Sequence, residues 1–372
     1  MRSKDLFVAA LLVVWYAVEA WASPTMIRLG YTSCAPCHLS PQGGGLLTEY
    51  GKGVDLAQSL LARDYAPPPD APQRKFIQDF RVLLAAYRNV DLTRDETVGS
   101  PDVRFWHRAA RRLGADHRLS STVGINFWSD PTTTSARADP KLVVMKALWE
   151  YRIADGLELA VGRDVRPSGL EMSDYQDFLR ASTEPGAATS YFTQAKLFWW
   201  TKRVHVTPFV FGPGGGEDRL FRQYGAGVLG GVDVWQQRAV IGVSARTSRS
   251  ESYTRQSIGA YARLGFGRWG ILTEQELVTR SERTSDAQAV HQYMEDTQVF
   301  FALYEWLVTS ITMQYGSFDG FASGYVGRLA PAAQIRVSDK VTVIVFARNL
   351  FVDPRRPQSR TYSVQLFLKT VD

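Results

Sequence analysis

Two cysteines in 372 residues allow one disulfide at most, and only five histidines and six methionines accompany them. A disulfide-stapled secreted scaffold is excluded, and any metal or redox chemistry has few residues to draw on. After the first thirty residues no apolar run approaches the roughly 20 residues that a spanning helix needs, which excludes a polytopic helical membrane protein. A β-barrel is not excluded, because its strands need only about 10 residues each. Lys and Arg number 43 against 37 Asp and Glu, but they stand singly among aromatics, which argues against nucleic acid as a partner. The chain is rich in aromatics, with 10 Trp, 16 Tyr and 19 Phe beside 22% charged residues. That pairing suits a wall between lipid and water.

The chain opens with Arg2 and Lys4, an almost wholly apolar run from Leu6 to Val18, and Ala20-Trp21-Ala22. A charged start, a short apolar core and small residues flanking a cut make residues 1–22 a secretory signal peptide. The expected mature chain begins at Ser23 and leaves the cytoplasm.

A dozen residues past that cut lies Cys34-Ala35-Pro36-Cys37-His38, with the C-x-x-C-H spacing of c-type haem attachment. Two thiols three positions apart can form thioethers to the vinyl groups of one haem, while the adjacent imidazole of His38 takes the iron from the proximal side. A thioredoxin-like redox pair needs a strand before and a helix after the motif, whereas Pro24, Pro41 and Gly43-Gly44-Gly45 surround it here. A zinc site needs further ligands, and neither a second C-x-x-C nor an H-x-x-x-H follows. Leu46, Leu47, Tyr50, Val54, Leu56, Leu60 and Leu61 then recur at helical spacing, so their apolar stripe is expected to cover one haem face. The proline-rich stretch from Ala66 to Pro72 cannot continue that helix and closes a haem-bearing segment over residues 23–74. A segment this small needs another surface to bury a haem.

From Lys75 to Asp372 the pattern is alternation, which predicts an all-β antiparallel transmembrane barrel of about 14–16 strands. Val143, Met145, Ala147, Trp149, Tyr151 and Ile153 are expected to face outward, against Lys146, Glu150 and Arg152 inside, with Leu148 an exception. Ile258, Ala260, Ala262, Leu264 and Phe266 repeat the register, as do Tyr362, Val364, Leu366 and Leu368. Long polar connections are expected at Gly212–Arg222, Ser248–Gln256 and Thr279–Met294, alternating with tight ones. The final strand departs from outer-membrane habit by running on to Lys369-Thr370-Val371-Asp372 rather than ending on an aromatic.

A signal peptide, one C-x-x-C-H near the start, a short haem segment and a barrel to the end resemble the fused monohaem cytochrome–porin family of the bacterial outer membrane, whose best-known members are iron(II) oxidases. The resemblance covers the whole chain in architecture, and in motif it rests on Cys34, Cys37 and His38. It implies one haem c in a plug within an outer-membrane barrel. Electrons would then pass between an extracellular donor or acceptor, with ferrous iron the natural donor, and periplasmic c-type cytochromes. For the distal iron position the candidates are Met26, twelve residues ahead of His38, and His205, expected to point into the lumen, beside a five-coordinate iron. A cation crossing a lumen rich in Arg and Lys would need acidic positions such as Glu150 or Glu274. Two other readings accompany this one: a solute-diffusing porin whose haem segment is a structural plug, and a peroxidase-like enzyme if the sixth site is open.

Overall fold

The computed structural model describes residues 24–41, 43, 45–67, 74–128, 139–167, 169–170, 191–214, 222–283, 289–318, 325–352 and 357–370. The expected signal peptide and the centre of the proline-rich linker lie outside them. A 3-10 turn, Pro24–Leu29, and one helix, α1 (Glu49–Ala57), precede the strands β1 (Phe76–Asp91), β2 (Glu96–Arg112), β3 (His117–Trp128) and β4 (Asp139–Ala154). Next come β5 (Leu157–Val165), β6 (Tyr191–Trp200), β7 (Val204–Gly212), β8 (Tyr224–Asp233), β9 (Ala239–Arg249) and β10 (Tyr253–Phe266). The last six are β11 (Trp269–Glu282), β12 (Val290–Tyr304), β13 (Leu307–Phe318), β14 (Tyr325–Ser338), β15 (Val341–Phe351) and β16 (Ser359–Lys369). Each strand pairs antiparallel with its sequence neighbours, and β1 meets β16, with Arg81 opposite Lys369, to close a sixteen-stranded barrel. Closure leaves no free strand edge, which lipid would penalise.

Alternation sorts the side chains. On β10, Ile258 and Phe266 are exposed on the outer face while Arg255, Ser257 and Tyr261 are buried inside. Around the barrel the outer face carries exposed Val243, Ile258, Leu277, Ile311 and Val364, and the lumen is laced with ion pairs. Arg104 binds Asp102, Arg118 bridges Glu150 and Glu158, Lys196 binds Asp164, and Arg246 binds Glu276. Within a closed barrel these groups are desolvated, so pairing is what makes their burial tolerable.

The two rims differ. Connections from β2 to β3 and at every second position onward run two to five residues, whereas those after β3, β5 and β7 span ten, twenty-five and eleven. Aromatics ring the short-turn rim: Trp149 stacks on Tyr151, Trp235 meets Phe266, Trp269 meets Phe301, and Tyr304 stacks on Trp306. Rings with an apolar body and a polar edge suit a membrane interface.

Three expectations need correction. The register expected for β4 fails before Ala147, because a bulge opposite Thr122 and Val123 shifts the pairing. Leu142 and Val144 are exposed there, and Met145 instead packs against the cluster of Leu83, Trp106 and Phe367. One extra residue reverses the faces on either side of a bulge, a change that alternation alone does not reveal. The stretches Ser248–Gln256 and Thr279–Met294 are mostly strand, so those connections shrink to residues 250–252 and 283–289. The helix is also shorter than its apolar spacing predicted: Leu46 and Leu47 precede its N-cap Thr48, with Leu47 bridged to His38, and Leu60 and Leu61 follow its end.

Lys at an outward mid-strand position should cost about 2–4 kcal/mol near the bilayer midplane. Ile258→Lys is therefore expected to lower the denaturant midpoint of the lipid-reconstituted barrel, which urea titration followed by tryptophan fluorescence measures.

Candidate cofactor site at the barrel mouth

The N-terminal segment sits in the short-turn mouth of the barrel. Arg28 donates to Glu305 in the β12–β13 turn at 2.8 Å, and Arg108 of β2 donates to the Gly45 carbonyl. Leu60 and Leu61 N–H groups donate to the Arg336 and Val337 carbonyls at 2.8 and 3.0 Å. The Ile27 carbonyl lies so close to β10 that a Cβ on Gly265 would be 2.4 Å from it. Buried Asp55 of α1 stands 3.6 Å from Lys369 and 3.9 Å from Arg336, which tie the helix to β16 and β14. Burial lifts the Asp55 carboxyl above the usual carboxylate range, although Lys369, Arg336 and Arg81 pull the other way.

Within this plug the C-x-x-C-H residues form one helical turn. The Cys37 and His38 N–H groups donate to the Cys34 carbonyl at 3.2 and 2.9 Å. Cys37 and His38 are buried, Cys34 is half-buried, and no disulfide joins the thiols. Helix α1 locks the turn in place: Thr48 N–H donates to the Cys37 carbonyl at 3.0 Å, and its hydroxyl donates to the Pro36 carbonyl at 2.7 Å. Gly51 permits this approach, since a Cβ there would lie 2.1 Å from the Cys37 carbonyl oxygen. Burial pushes the Cys37 thiol up to about 11, with Cys34 and Asp55 adding to it, the reverse of what a reactive thiolate or a zinc ligand needs. Paired thiols and an imidazole on one turn, with buried Leu47 bridged to His38 and Leu46 and Leu56 also buried in the same segment, fit a covalently held haem.

The lumen wall next to the plug is organised as one lateral row. His205 of β7 is opposite Gly231 of β8, Gly231 opposite Gly242 of β9, and Gly242 opposite Tyr261 of β10. The two glycines leave a floor over which the rings meet, with His205 Nε2 and the Tyr261 hydroxyl 2.7 Å apart. A Cβ at Gly242 would lie 2.2 Å from Tyr261, and one at Gly231 would be 2.4 Å from its hydroxyl. The row continues to Glu274 of β11, whose carboxylate accepts from Gly169 and Leu170 N–H at 2.9 and 2.7 Å. The connection after β5 therefore folds into the barrel. Its Leu170 shares a buried cluster with Ile27 of the plug and Tyr261 of the wall. Arg166, at the start of this connection, lies over the Phe192 and Phe211 rings at 4.3 and 4.7 Å.

The sequence-predicted residues are distributed unevenly over this arrangement. Cys34, Cys37 and His38 come together in the plug, and Met26 lies half-buried in the 3-10 turn that precedes them. His205 is on the lumen side, and its partner Tyr261 is within electrostatic reach of Cys34. The other histidines are elsewhere: His107 stacks on exposed Phe80, His117 stacks on Trp149 at the short-turn rim, and exposed His291 faces Thr279 at the opposite one. Glu150 and Glu274, considered as stations for a cation, are instead engaged by Arg118 and by the Gly169 and Leu170 amides. Tyr261 gave no signal in the sequence, since a tyrosine between Ala260 and Ala262 does not reveal what it meets three strands away.

No family model and no curated protein matches the chain. Solved structures do. OmpT of Vibrio cholerae, in its trimer form, superimposes with a TM-score of 0.59 at 10% identity, covering 80% of this chain and all of that one. An anion-selective porin from Comamonas acidovorans gives 0.58 at 9% identity over 79% of this chain and 99% of its own. Pseudomonas putida OprB gives 0.59 at 8% identity over 79% and 94%. The likeness is one of fold: this is a closed barrel of the outer-membrane porin type.

Two outcomes follow from the packing. Tyr261→Phe removes a hydroxyl that meets both His205 Nε2 and the Gly230 carbonyl and should cost about 0.5–1.5 kcal/mol for each bond lost, whereas Gly242→Val also drives a side chain into Tyr261 and should distort the wall, as thermal unfolding of both variants would show. Gly51→Ala should lift α1 from the Cys37 carbonyl, speeding limited proteolysis at residues 58–75 while the barrel resists.

Proposed function

We propose that this chain is an outer-membrane electron-transfer protein that binds one haem c through Cys34 and Cys37, with His38 as the proximal iron ligand. The observation that carries the reading is the helical turn bearing those residues, locked by α1 and seated inside a barrel mouth. A haem held there would exchange one electron at a time between its ferric and ferrous states. The chain's own part is to bury the group and to set its potential by ligand and surrounding charge. The Ile27, Leu170 and Tyr261 cluster joins the plug to a connection from the opposite rim, so packed protein extends toward both sides. With the plugged end facing the periplasm, the partners are periplasmic c-type cytochromes on that side and an extracellular donor, ferrous iron by family resemblance, on the other. Met26 and His205 are the two candidates for the distal ligand, and alanine at the true one should convert a low-spin spectrum to a high-spin one.

The porin fold of the structural neighbours favours a second reading, in which solutes diffuse through the lumen and the N-terminal segment is a structural plug. Stopped-flow mixing with ferrous iron and planar-bilayer conductance separate the two. The electron-transfer reading expects rapid haem reduction and little conductance. The porin reading expects steady conductance that survives Cys34→Ala/Cys37→Ala and no haem-linked reduction.

A further inference from the structure

We propose that the outer wall at β11 and β12 is a contact surface for a second copy of this chain, centred on Gln275 and Glu295. The inference goes beyond the haem reading and does not rest on it, because these residues face away from the lumen.

Along β11 and β12 the outward positions pair as Trp269 with Phe301, Ile271 with Val299, Thr273 with Thr297, Gln275 with Glu295 and Leu277 with Tyr293. The series is apolar or aromatic at both ends and polar in the middle. Trp269 and Phe301 belong to the aromatic short-turn rim, and Gln275 and Glu295 lie six residues inside it. With a rise of ~3.4 Å per residue and a tilt of about 40°, that puts the pair about 15 Å into an apolar band about 25 Å tall. Exposed Leu277 beyond Gln275, with Ile258, Ile311 and Met313 on the neighbouring strands, keeps the band apolar around the strip.

The hydrogen bonds of the strip run toward Glu295. The Thr273 and Thr297 hydroxyls are 2.8 Å apart, Thr297 donates to Glu295 Oε1 at 3.2 Å, and Tyr293 donates to Oε2 at 3.1 Å. A carboxylate offers about four acceptor positions, so these two bonds leave room for donors from outside the chain. Among the described residues no cation pairs with Glu295, and the amide of exposed Gln275 beside it has no side-chain partner. Polar groups left open toward hydrocarbon are costly, and lipid tails have nothing to offer them. A water-soluble partner does not reach this depth. The occupant is therefore itself embedded in the membrane.

Self-complementarity points to a second copy. Neighbouring strands lie about 4.8 Å apart, and a twofold axis along the membrane normal, passing between β11 and β12, brings the Gln275 amide of each copy to the Glu295 carboxylate of the other. The donor that Glu295 lacks and the acceptor that Gln275 lacks are then supplied together. Ala260 and Ala262 of β10, opposite Gln275 and Thr273, are small enough to let two walls approach.

The test uses the full chain in intact outer membranes. A photoreactive benzoylphenylalanine replaces Leu277 on this face or Val161 on β5 of the far wall, both exposed positions. The proposal expects irradiation to give an adduct of twice the chain's mass, containing this chain alone, from Leu277 and not from Val161. Adding Gln275→Leu and Glu295→Leu, which suit lipid and leave a heat-modifiable barrel, should reduce that adduct at least tenfold. Absence of a two-copy adduct from Leu277, equal adducts from both positions, an adduct with a different protein, or one that survives the double leucine variant would each overturn the proposal.

Discussion

The segment that carries Cys34, Cys37 and His38 has one short helix and too few residues to bury a core of its own, so its fold depends on the barrel wall. Asp55 is the centre of that dependence. It lies between Lys369 and Arg336, on the last and third-last strands, while Arg28 and the Leu60 and Leu61 amides fasten the two ends of the segment. Breaking a buried pair by removing one partner costs about 3–5 kcal/mol, much more than an exposed pair is worth, so this contact carries weight out of proportion to its size. With the segment seated, Gly51 can press α1 onto the Cys37 carbonyl and hold the helical turn.

The opposite wall answers with a row of residues in register. Two glycines in neighbouring strands remove side chains where His205 and Tyr261 need to reach across, and Glu274 uses its carboxylate to hold a loop rather than to bind a passing ion. The inward loop, the wall and the plug share the buried cluster of Leu170, Tyr261 and Ile27. A displacement on one side of this cluster must therefore be felt on the other, since packed interiors do not deform continuously.

Much of this was legible in the sequence, for identifiable reasons. Alternation marked the strands because each one separates lipid from a polar lumen, and the barrel's sixteen strands fall within the expected range. The bulge at Met145 was hidden because one inserted residue leaves the composition of a strand unchanged. Helix α1 was overread because Leu46, Leu47, Leu60 and Leu61 have helical spacing but meet the motif and the barrel rim instead. The role of Gly169 and Leu170 has no local signature, because it depends on Glu274, more than a hundred residues later. The thiols and imidazole of the candidate site could be named from spacing alone. The residues around them could not, because Tyr261, Arg336 and Lys369 come from strands far along the chain and meet the N-terminal segment, at Ile27 and Asp55, only when the barrel closes.

The central claim is that the turn at Cys34–His38 carries a haem, and intact-mass spectrometry of the protein purified from a host with c-type maturation tests it most directly. The account predicts a mass raised by one haem, localised by digestion to the peptide containing both cysteines and lost in Cys34→Ala/Cys37→Ala. An unmodified mass from the same host, in a barrel that is folded and heat-modifiable, would contradict it.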